Sequence, residues 1–178
     1  MTWRTIAKLA TLATMSIFLL GTNIFGQNKA KTPVHPPIQH WVYEHYEDEM
    51  GRGTVKTAKT KSTNTIEFSY PYQYPQRTTL VLRAHPEEGN TVYVLIERGQ
   101  FLCSMEGCTV AVRFDDDDIQ TFSALPAADM SSNVIFINEY ATFLEHIRQA
   151  KRVAIEAAFF QEGKRVMIFN TAGLHWES

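Results

Sequence analysis

The sequence lacks most of the short motifs that identify common enzyme classes. It has no G-x-S-x-G segment to present a nucleophilic serine, no P-loop for a nucleotide phosphate, and no G-x-G-x-x-G loop for a dinucleotide. None of its six histidines has the i, i+4 spacing of the zinc-binding H-E-x-x-H helix. We therefore assign no catalytic residue, no metal ligand and no cofactor-binding residue from the sequence.

The sequence also lacks an excess of positive charge. Its 17 lysines and arginines are outnumbered by 19 aspartates and glutamates, which gives a formal net charge of −2. Domains that bind DNA or RNA usually carry a basic patch or stripe. The composition therefore predicts no nucleic-acid partner.

Cysteine is scarce, since Cys103 and Cys108 are the only two. The segment between them, residues 104–107, is typical of a tight turn in which a glycine supplies a positive φ. An even pair of cysteines in an exported chain usually forms a disulfide, and cysteines opposed across a hairpin suit its geometry. We predict a disulfide between them, with Phe101 opposite Val110. A redox pair or half of a metal site is the alternative, although the C-x4-C spacing lacks the usual C-x-x-C form and a second pair.

The N-terminal apolar run is too short for a typical transmembrane helix. It extends over 12 residues, from Leu9 to Leu20, whereas a bilayer span needs about 20. With Arg4 and Lys8 close to its start, it is typical of a signal peptide over residues 1–26. The cleavage site is poor, so an uncleaved N-terminal anchor is the alternative. The protein is thus predicted to be periplasmic or secreted, or else anchored in the inner membrane, with membrane contact only through residues 1–26.

The rest of the chain is predicted to be a linker and a single domain. Residues 27–40 are polar and contain three prolines, which is typical of an extended linker. In residues 41–178, apolar and polar residues alternate in several segments, as they do in half-buried strands. The predicted fold class is mainly β, an antiparallel β-sandwich with one α-helix near the C-terminus. An α+β arrangement is the alternative.

The stretch from Thr91 to Ala124 is predicted to form three strands joined by two tight turns. In the second hairpin, Phe114 is predicted to pair with Ile119, so that Val112 faces Thr121 and Val110 faces Ser123. The turn between these strands consists of four adjacent acidic residues, Asp115, Asp116, Asp117 and Asp118. A solvated turn is favoured, because the run lacks the D-x-[DN]-x-[DN]-G spacing of a calcium loop. A weak cation site or a contact for a basic partner is the alternative.

One helix is predicted after residue 138, where Asn138 can serve as the N-cap. Its buried stripe follows the i, i+3, i+4, i+7 pattern and consists of Tyr140, Phe143, Leu144 and Ile147. A hairpin with a turn at Glu162-Gly163 follows. Its predicted register puts Ile155, Ala157, Phe159, Val166 and Ile168 on one face. The other face is also apolar, with Ala158, Met167 and Phe169, so burial of the hairpin on both sides is the alternative. Trp176 is predicted to dock on the domain.

Two other groups of residues are candidates for function. Tyr72 and Tyr74 lie in a proline-flanked loop and could contact a ligand, although packing within the loop is favoured. Strand-borne carboxylates, Glu67, Glu97 and Glu156, could assemble the acid pair of a glycoside hydrolase. Each is explained more simply as an outward residue or as the partner of an arginine.

Several short segments of the sequence are similar to segments of known proteins. The segments involved are Asp48-Glu49-Met50, residues 99–103, residues 112–116, Phe143-Leu144, residues 150–156, Phe169 and Gly173-Leu174. Together they resemble a group of small exported proteobacterial proteins of uncharacterised function, over about residues 41–176. More distantly, the pattern is similar to the periplasmic accessory family associated with type VI secretion. The resemblance implies an envelope-located β-sandwich with a partner-binding role, and it carries over no active-site residue.

Three functions follow as hypotheses. The favoured one is a non-catalytic envelope module that binds an envelope protein or a cell-wall component. The second is a hydrolase of envelope material that acts through strand-borne carboxylates. The third is a structural protein anchored in the membrane through its N-terminal segment.

Overall fold

The structure, a computed structural model, describes residues 40–177. The predicted leader and, apart from His40, the predicted linker lie outside the described residues. In residues 40–177, no helix is long and apolar enough to cross a membrane. The described chain forms nine strands and one helix: β1 (Val42–Glu47), β2 (Thr54–Lys61), β3 (Thr78–His85), β4 (Gly89–Ile96), β5 (Cys108–Phe114), β6 (Gln120–Pro126), β7 (Val134–Ile137), α1 (Tyr140–Gln149), β8 (Arg152–Phe159) and β9 (Gly163–Asn170).

All nine strands belong to one antiparallel sheet in the order β1-β2-β3-β4-β7-β6-β5-β8-β9. The prediction of a mainly antiparallel β fold with a single helix near the C-terminus is confirmed for the described residues. The layers that enclose the core are halves of this one continuous sheet. We call its core-facing side the inner face and the opposite side the outer face.

The sheet curves until its two ends approach each other. Ser62, just after β2, forms an isolated bridge with Phe169 of β9. The backbone N–H of Thr63 donates to the carbonyl of Ile168, and the side chain of Asn64 bonds the backbone of β9 at two points. Residues 62–64 therefore cover the outer edge of β9, which is one end of the sheet. β1 forms the other end.

One hydrophobic core lies on the inner face, and aromatic rings connect its parts. Phe143 of α1 packs against Phe114 and Phe122, with ring centroids 5.4 and 5.7 Å away. Elsewhere, Phe101 stacks on Phe159 at 4.5 Å. The helix is thus fixed to the sheet by burial of its apolar stripe, as its periodicity predicts.

The helix begins differently from the prediction. Glu139 occupies the N-cap position with a left-handed backbone (φ 59°), and its side chain makes no capping hydrogen bond. The side chain of Asn138 instead donates to the hydroxyl of Ser123 in β6. The cap prediction was wrong because the helix begins one residue later than expected, which places Asn138 before the N-cap, where its amide nitrogen bonds the sheet.

The central stretch does not form three consecutive paired strands. Phe101 bridges Phe159 rather than facing Val110, and the N–H of Leu102 donates to the carbonyl of Ala158. The preceding strand, β4, pairs with β3 and β7. Sequence neighbours were expected to pair, but the buried ring of Phe101 stacks on a distant aromatic residue instead.

The register of the β5–β6 hairpin also differs by one residue from the prediction. Val110 pairs with Phe122 and Val112 with Gln120, because the connection after Phe114 is one residue shorter than expected. Directly paired residues share a face, so this slip exchanges the faces of β6. Phe122 is consequently buried in the core, where the predicted register would have placed a serine.

The register of the C-terminal hairpin also differs from the prediction. Ile155 pairs with Met167, and the inner residues of β9 are Met167 and Phe169 rather than Val166 and Ile168. The strands meet at the Phe159–Gly163 pair, so the turn is longer than the predicted Glu162-Gly163 turn. Beyond β9, Trp176 is buried, and its indole N–H donates to the hydroxyl of Tyr140 at 2.6 Å, as expected for a docked terminus.

Candidate functional site

The predicted disulfide is present. Cys103 and Cys108 are bonded, with Cα atoms 5.0 Å apart, and the turn between them closes with a bridge from Ser104 to Gly107. Gly107 has φ 102°, and a Cβ there would lie 3.0 Å from the carbonyl oxygen of Ala124. The bond fixes this turn against β6, which is a structural role.

The four acidic residues after β5 differ in their surroundings. The carboxylate of Asp115 accepts hydrogen bonds from the backbone N–H groups of Lys151 and Arg152, at 2.8–3.2 Å. Asp116, Asp117 and Asp118 are exposed. Asp115 therefore joins the turn to the start of β8, while the other three remain available to a partner. Their role as a contact surface stays a prediction.

The tyrosine loop is partly packed and partly open. The hydroxyl of Tyr72 accepts a hydrogen bond from the side-chain amide of Gln100 at 3.3 Å, and its ring packs on the core. Tyr74 is 66% exposed, and the guanidinium of Arg98 lies 5.8 Å from its ring centroid. Tyr72 thus fits the packing interpretation, and Tyr74 keeps an open surface for the predicted contact.

The three carboxylates that the sequence predicts on strands are not placed alike. Glu156 lies on the outer face of β8 and accepts a bond from the ammonium of Lys164 at 2.9 Å. Glu67 and Glu97 lie outside the nine strands, with Glu97 directly after β4, so the prediction that they are strand-borne was wrong. Hydrogen bonds lower the pKa values of three other carboxyl groups, those of Asp48, Glu88 and Asp129, whereas a general acid in glycoside hydrolysis needs a raised pKa. Within residues 40–177, no group of three or more His, Cys, Asp or Glu side chains is placed to hold a metal ion.

A polar cluster that sequence reasoning missed lies at the β1–β2 turn. Asp48 accepts two hydrogen bonds from the guanidinium of Arg52, at 2.7 and 3.0 Å, and another from the N–H of Met50. The bonds from Arg52, followed by the weaker one from Met50, hold the pKa of the Asp48 carboxyl well below its usual value.

His85 completes this cluster. Its Nδ1 accepts from the N–H groups of Glu87 and Glu88, at 3.2 and 3.1 Å, and its Nε2 lies 3.4 Å from Asp48 Oδ2. Both ring nitrogens are thus engaged inside the protein, and the side chain is buried. The Asp–His pair therefore supports the turns rather than presenting a base to a substrate.

An open groove lies on the outer face of β1 to β4. It has a volume of about 750 Å³. Its residues belong to neighbouring cross-strand rows, so strand pairing itself brings them together. We call it the outer groove; its principal side chains are Val42, Glu44, Lys59, Lys61, Arg77, Thr79, Tyr93 and Leu95.

The outer groove combines an apolar floor with a basic rim. Tyr93 and Leu95 form the floor beside Val81, which is fully buried although it lies on the outer face. Burial raises the pKa of the Tyr93 phenol, which therefore remains protonated at neutral pH and can donate a hydrogen bond. The floor can thus pack against an apolar ligand group while offering one polar anchor.

The rim carries three cations and one carboxylate. Lys59 is paired with Glu44. Lys61 and Arg77 are exposed and have no acidic partner among residues 40–177. The groove therefore has a local positive excess of two charges on a chain whose formal net charge is negative. It is suited to an extended ligand that combines apolar and anionic groups.

The sequence contains one local signal for this site. Lys59 and Lys61 are two residues apart in a strand, which places both on one face. Lysines are also frequent on edge strands, but β2 lies inside the sheet between β1 and β3. The contribution of Arg77, Tyr93 and Leu95 depends on long-range strand pairing, so no local pattern identifies it.

Comparison with known proteins leaves the family open. No protein-family model matches the chain, and no curated protein matches it. Among solved structures, the chain is similar to invasion associated protein B from Bartonella henselae, with a TM-score of 0.44 and 7% sequence identity. The matched region covers 76% of this chain and 87% of that protein.

Proposed function

We propose that the protein is a non-catalytic binding module of the cell envelope, and that it engages an envelope protein or a cell-wall component through the outer groove. The observation that carries this proposal is the combination of an apolar floor, at Tyr93 and Leu95, with the excess cations Lys61 and Arg77. Ligand sites typically combine apolar lining with a few polar groups that fix orientation.

Binding is favoured over hydrolysis by the state of the acidic residues. Glu44, the carboxylate of the outer groove, is paired with Lys59. The hydrogen-bonded carboxyl groups with lowered pKa values are suited to holding charge and structure, not to donating a proton at neutral pH. The outer groove therefore has the chemistry of recognition.

Export is the second part of the proposal. The Cys103–Cys108 disulfide is compatible with an oxidising compartment such as the periplasm. The signal-like residues 1–26 support secretion or the periplasm, and retention of these residues would give an inner-membrane anchor instead. The resemblance to small exported proteobacterial proteins and, more distantly, to the type VI secretion-associated accessory family is in keeping with an envelope role.

The test is site-specific photo-crosslinking in the native host. Benzoylphenylalanine in place of Thr79 would capture a partner bound in the outer groove. Benzoylphenylalanine in place of Thr109, on the outer face of β5, is the control. Thr79 and Thr109 are matched in residue type and strand location. We expect discrete adducts from position 79 that are absent from position 109, and that are lost when Lys61→Glu and Arg77→Glu are combined.

Equal adducts at both positions, or none at position 79, would contradict the proposed site.

The intact mass of the protein from the same envelope fraction tests export. We expect loss of about 26 N-terminal residues and two thiols that alkylate only after reduction. A full-length chain with free thiols would contradict export, while a full-length chain with an intact disulfide would support the anchored form. Release of fragments from isolated cell-wall sacculi would contradict the non-catalytic assignment.

A further inference from the structure

We propose that the free edge of β1 receives an extended peptide from the partner as an additional strand, and that this peptide carries acidic residues beside the start of β1. The inference rests on the proposed binding role and specifies the class of partner and the mode of contact. In strand addition, main-chain hydrogen bonds supply affinity, and pockets for alternate side chains supply specificity.

The two ends of the sheet are treated differently by the fold. At β9, residues 62–64 cover the edge, and Asn64 uses both its amide nitrogen and its amide oxygen to satisfy the strand backbone. At β1, the other edge, no comparable segment within residues 40–177 bonds the outward backbone groups. The nearest contact there is with a side chain, where the N–H of His175 donates to the hydroxyl of Tyr43.

The pairing of β1 identifies the groups that face outward. The N–H of Asp48 donates to the carbonyl of Gly53 at the turn, and the antiparallel register continues from that pair along β1 and β2. Hydrogen-bonded and non-hydrogen-bonded pairs alternate along an antiparallel ladder. The backbone groups of Tyr43, His45 and Glu47 therefore point away from β2, which leaves a row of donors and acceptors on one edge.

The composition of β1 does not protect this edge. Natural proteins usually blunt an exposed edge strand with charged side chains, proline, a bulge or a covering segment. β1 has six residues and contains neither proline nor lysine, and its register with β2 has no bulge. Its two carboxylates, Glu44 and Glu47, are bonded to Lys59 and Thr54 of β2. Its exposed side chains include Val42, Tyr43 and Tyr46, with 58, 36 and 52% of their surfaces accessible. An edge with these features is suited to pairing with another chain.

Charge indicates what kind of peptide fits. An added strand would place alternate side chains on the outer face next to Val42, the wall of the outer groove. Lys61 and Arg77 lie at this end of β1, whereas Glu44 and Glu47 follow along the strand. Carboxylates of the peptide are therefore favoured beside the start of β1, and uncharged residues are favoured further along it.

The backbone step can be tested with two substitutions at one position. His45→Pro removes the outward N–H while leaving the bonds between β1 and β2 in place, because proline is tolerated at such edge positions. His45→Ala removes the same side chain and keeps the N–H. The exported chain would be titrated against a fluorescent peptide of alternating valine and threonine with two terminal glutamates, made in both strand directions, and binding would be followed by anisotropy.

We expect one peptide direction to bind the parent and His45→Ala equally well, and to bind His45→Pro about tenfold more weakly. The urea midpoints of the two variants should agree, which separates lost binding from lost folding. Replacing the two glutamates with lysines should weaken binding to the parent, and the combined Lys61→Glu and Arg77→Glu variant should reverse that preference.

Some results would overturn strand addition but leave the proposed function intact, and one result would overturn both. Equal binding by His45→Pro, together with position-79 adducts, would mean that the groove binds its partner without strand addition. Binding of sacculi in place of either peptide would identify a cell-wall polymer as the ligand. Self-association through β1, or a crosslink from position 45 to residues 27–39 of the same chain, would assign the edge to this protein itself. Absence of peptide binding and of position-79 adducts would overturn both proposals.

Discussion

The indole N–H of Trp41 donates a hydrogen bond to the backbone carbonyl of Thr171, 3.1 Å away. Both residues are buried, at 2 and 1% exposure, and 130 positions separate them in the sequence. The contact joins the residue before β1 to the residue after β9. It therefore links the two ends of the sheet, next to the bridge between Ser62 and Phe169.

Trp41→Phe should destabilise the protein by about 1–3 kcal/mol. Phenylalanine preserves most of the apolar contact but leaves the carbonyl of Thr171 buried without its donor. Urea unfolding followed by circular dichroism would measure the difference in free energy of unfolding. Tyr70→Phe, at an exposed position in a turn, is the control and should be nearly neutral. Equal stability of the two variants would show that the indole bond is unimportant.

Asp48 should make the stability of the protein depend on pH in the acidic range. Because hydrogen bonds from Arg52 lower the pKa of Asp48 in the folded state, the unfolded state takes up its proton first as the pH falls. The stabilisation is therefore complete above the ordinary pKa of 3.8 and decreases as the pH falls below it.

Comparison with Asp48→Asn would reveal this dependence. We expect the variant to be less stable than the parent at pH 7, with a stability difference that narrows between about pH 4 and pH 2. Thermal unfolding at several pH values would measure it. Asp116→Asn, at a fully exposed carboxylate, controls for the change in net charge. A difference between parent and Asp48→Asn that stays constant with pH would contradict the assigned role.

The disulfide should contribute about 2 kcal/mol, since it closes a short loop and loop entropy increases with length. Replacing both Cys103 and Cys108 with serine should lower the free energy of unfolding by that amount without unfolding the domain. A reducing agent should lower the stability of the parent to the level of the double variant, and should leave the variant unchanged. Complete unfolding on reduction would mean that the bond holds the fold as well as its local turn.

Local sequence patterns predicted where the strands and the helix lie better than they predicted which strands pair with each other. The alternation of Val92, Val94 and Ile96 with outward residues was enough to identify a buried strand face. It gave no information that β4 pairs with β7, since the intervening chain forms two other strands and a long turn. Pairing of β4 with the strand that follows it was the natural expectation, and it was wrong, because β7 takes that place in the sheet.

Registers failed where a turn had a length other than the expected one: the connection after Phe114 is shorter than expected, and the one after Phe159 is longer. Asp115 has φ 45° and Gln161 has φ 59°, and each lies in a turn that shifted the following strand. Non-glycine residues adopt this region at an energetic cost, so sequence alone gives little reason to place them there. The outer groove depends on such details, because Lys61 reaches Thr79 and Leu95 only through the registers of three strands.

The acidic turn should separate into one structural residue and three surface residues. Asp115→Ala should destabilise the protein by about 1–3 kcal/mol, because two backbone N–H groups at the start of β8 would lose their charged acceptor. Asp117→Ala removes the same type of side chain from an exposed position of the same turn and should be nearly neutral. Urea unfolding of the two variants would measure the contrast. Equal effects would mean that repulsion among the carboxylates, rather than the contact with Lys151 and Arg152, determines the stability of the turn. In that case both substitutions should stabilise the protein, and the stabilisation should be larger at low ionic strength.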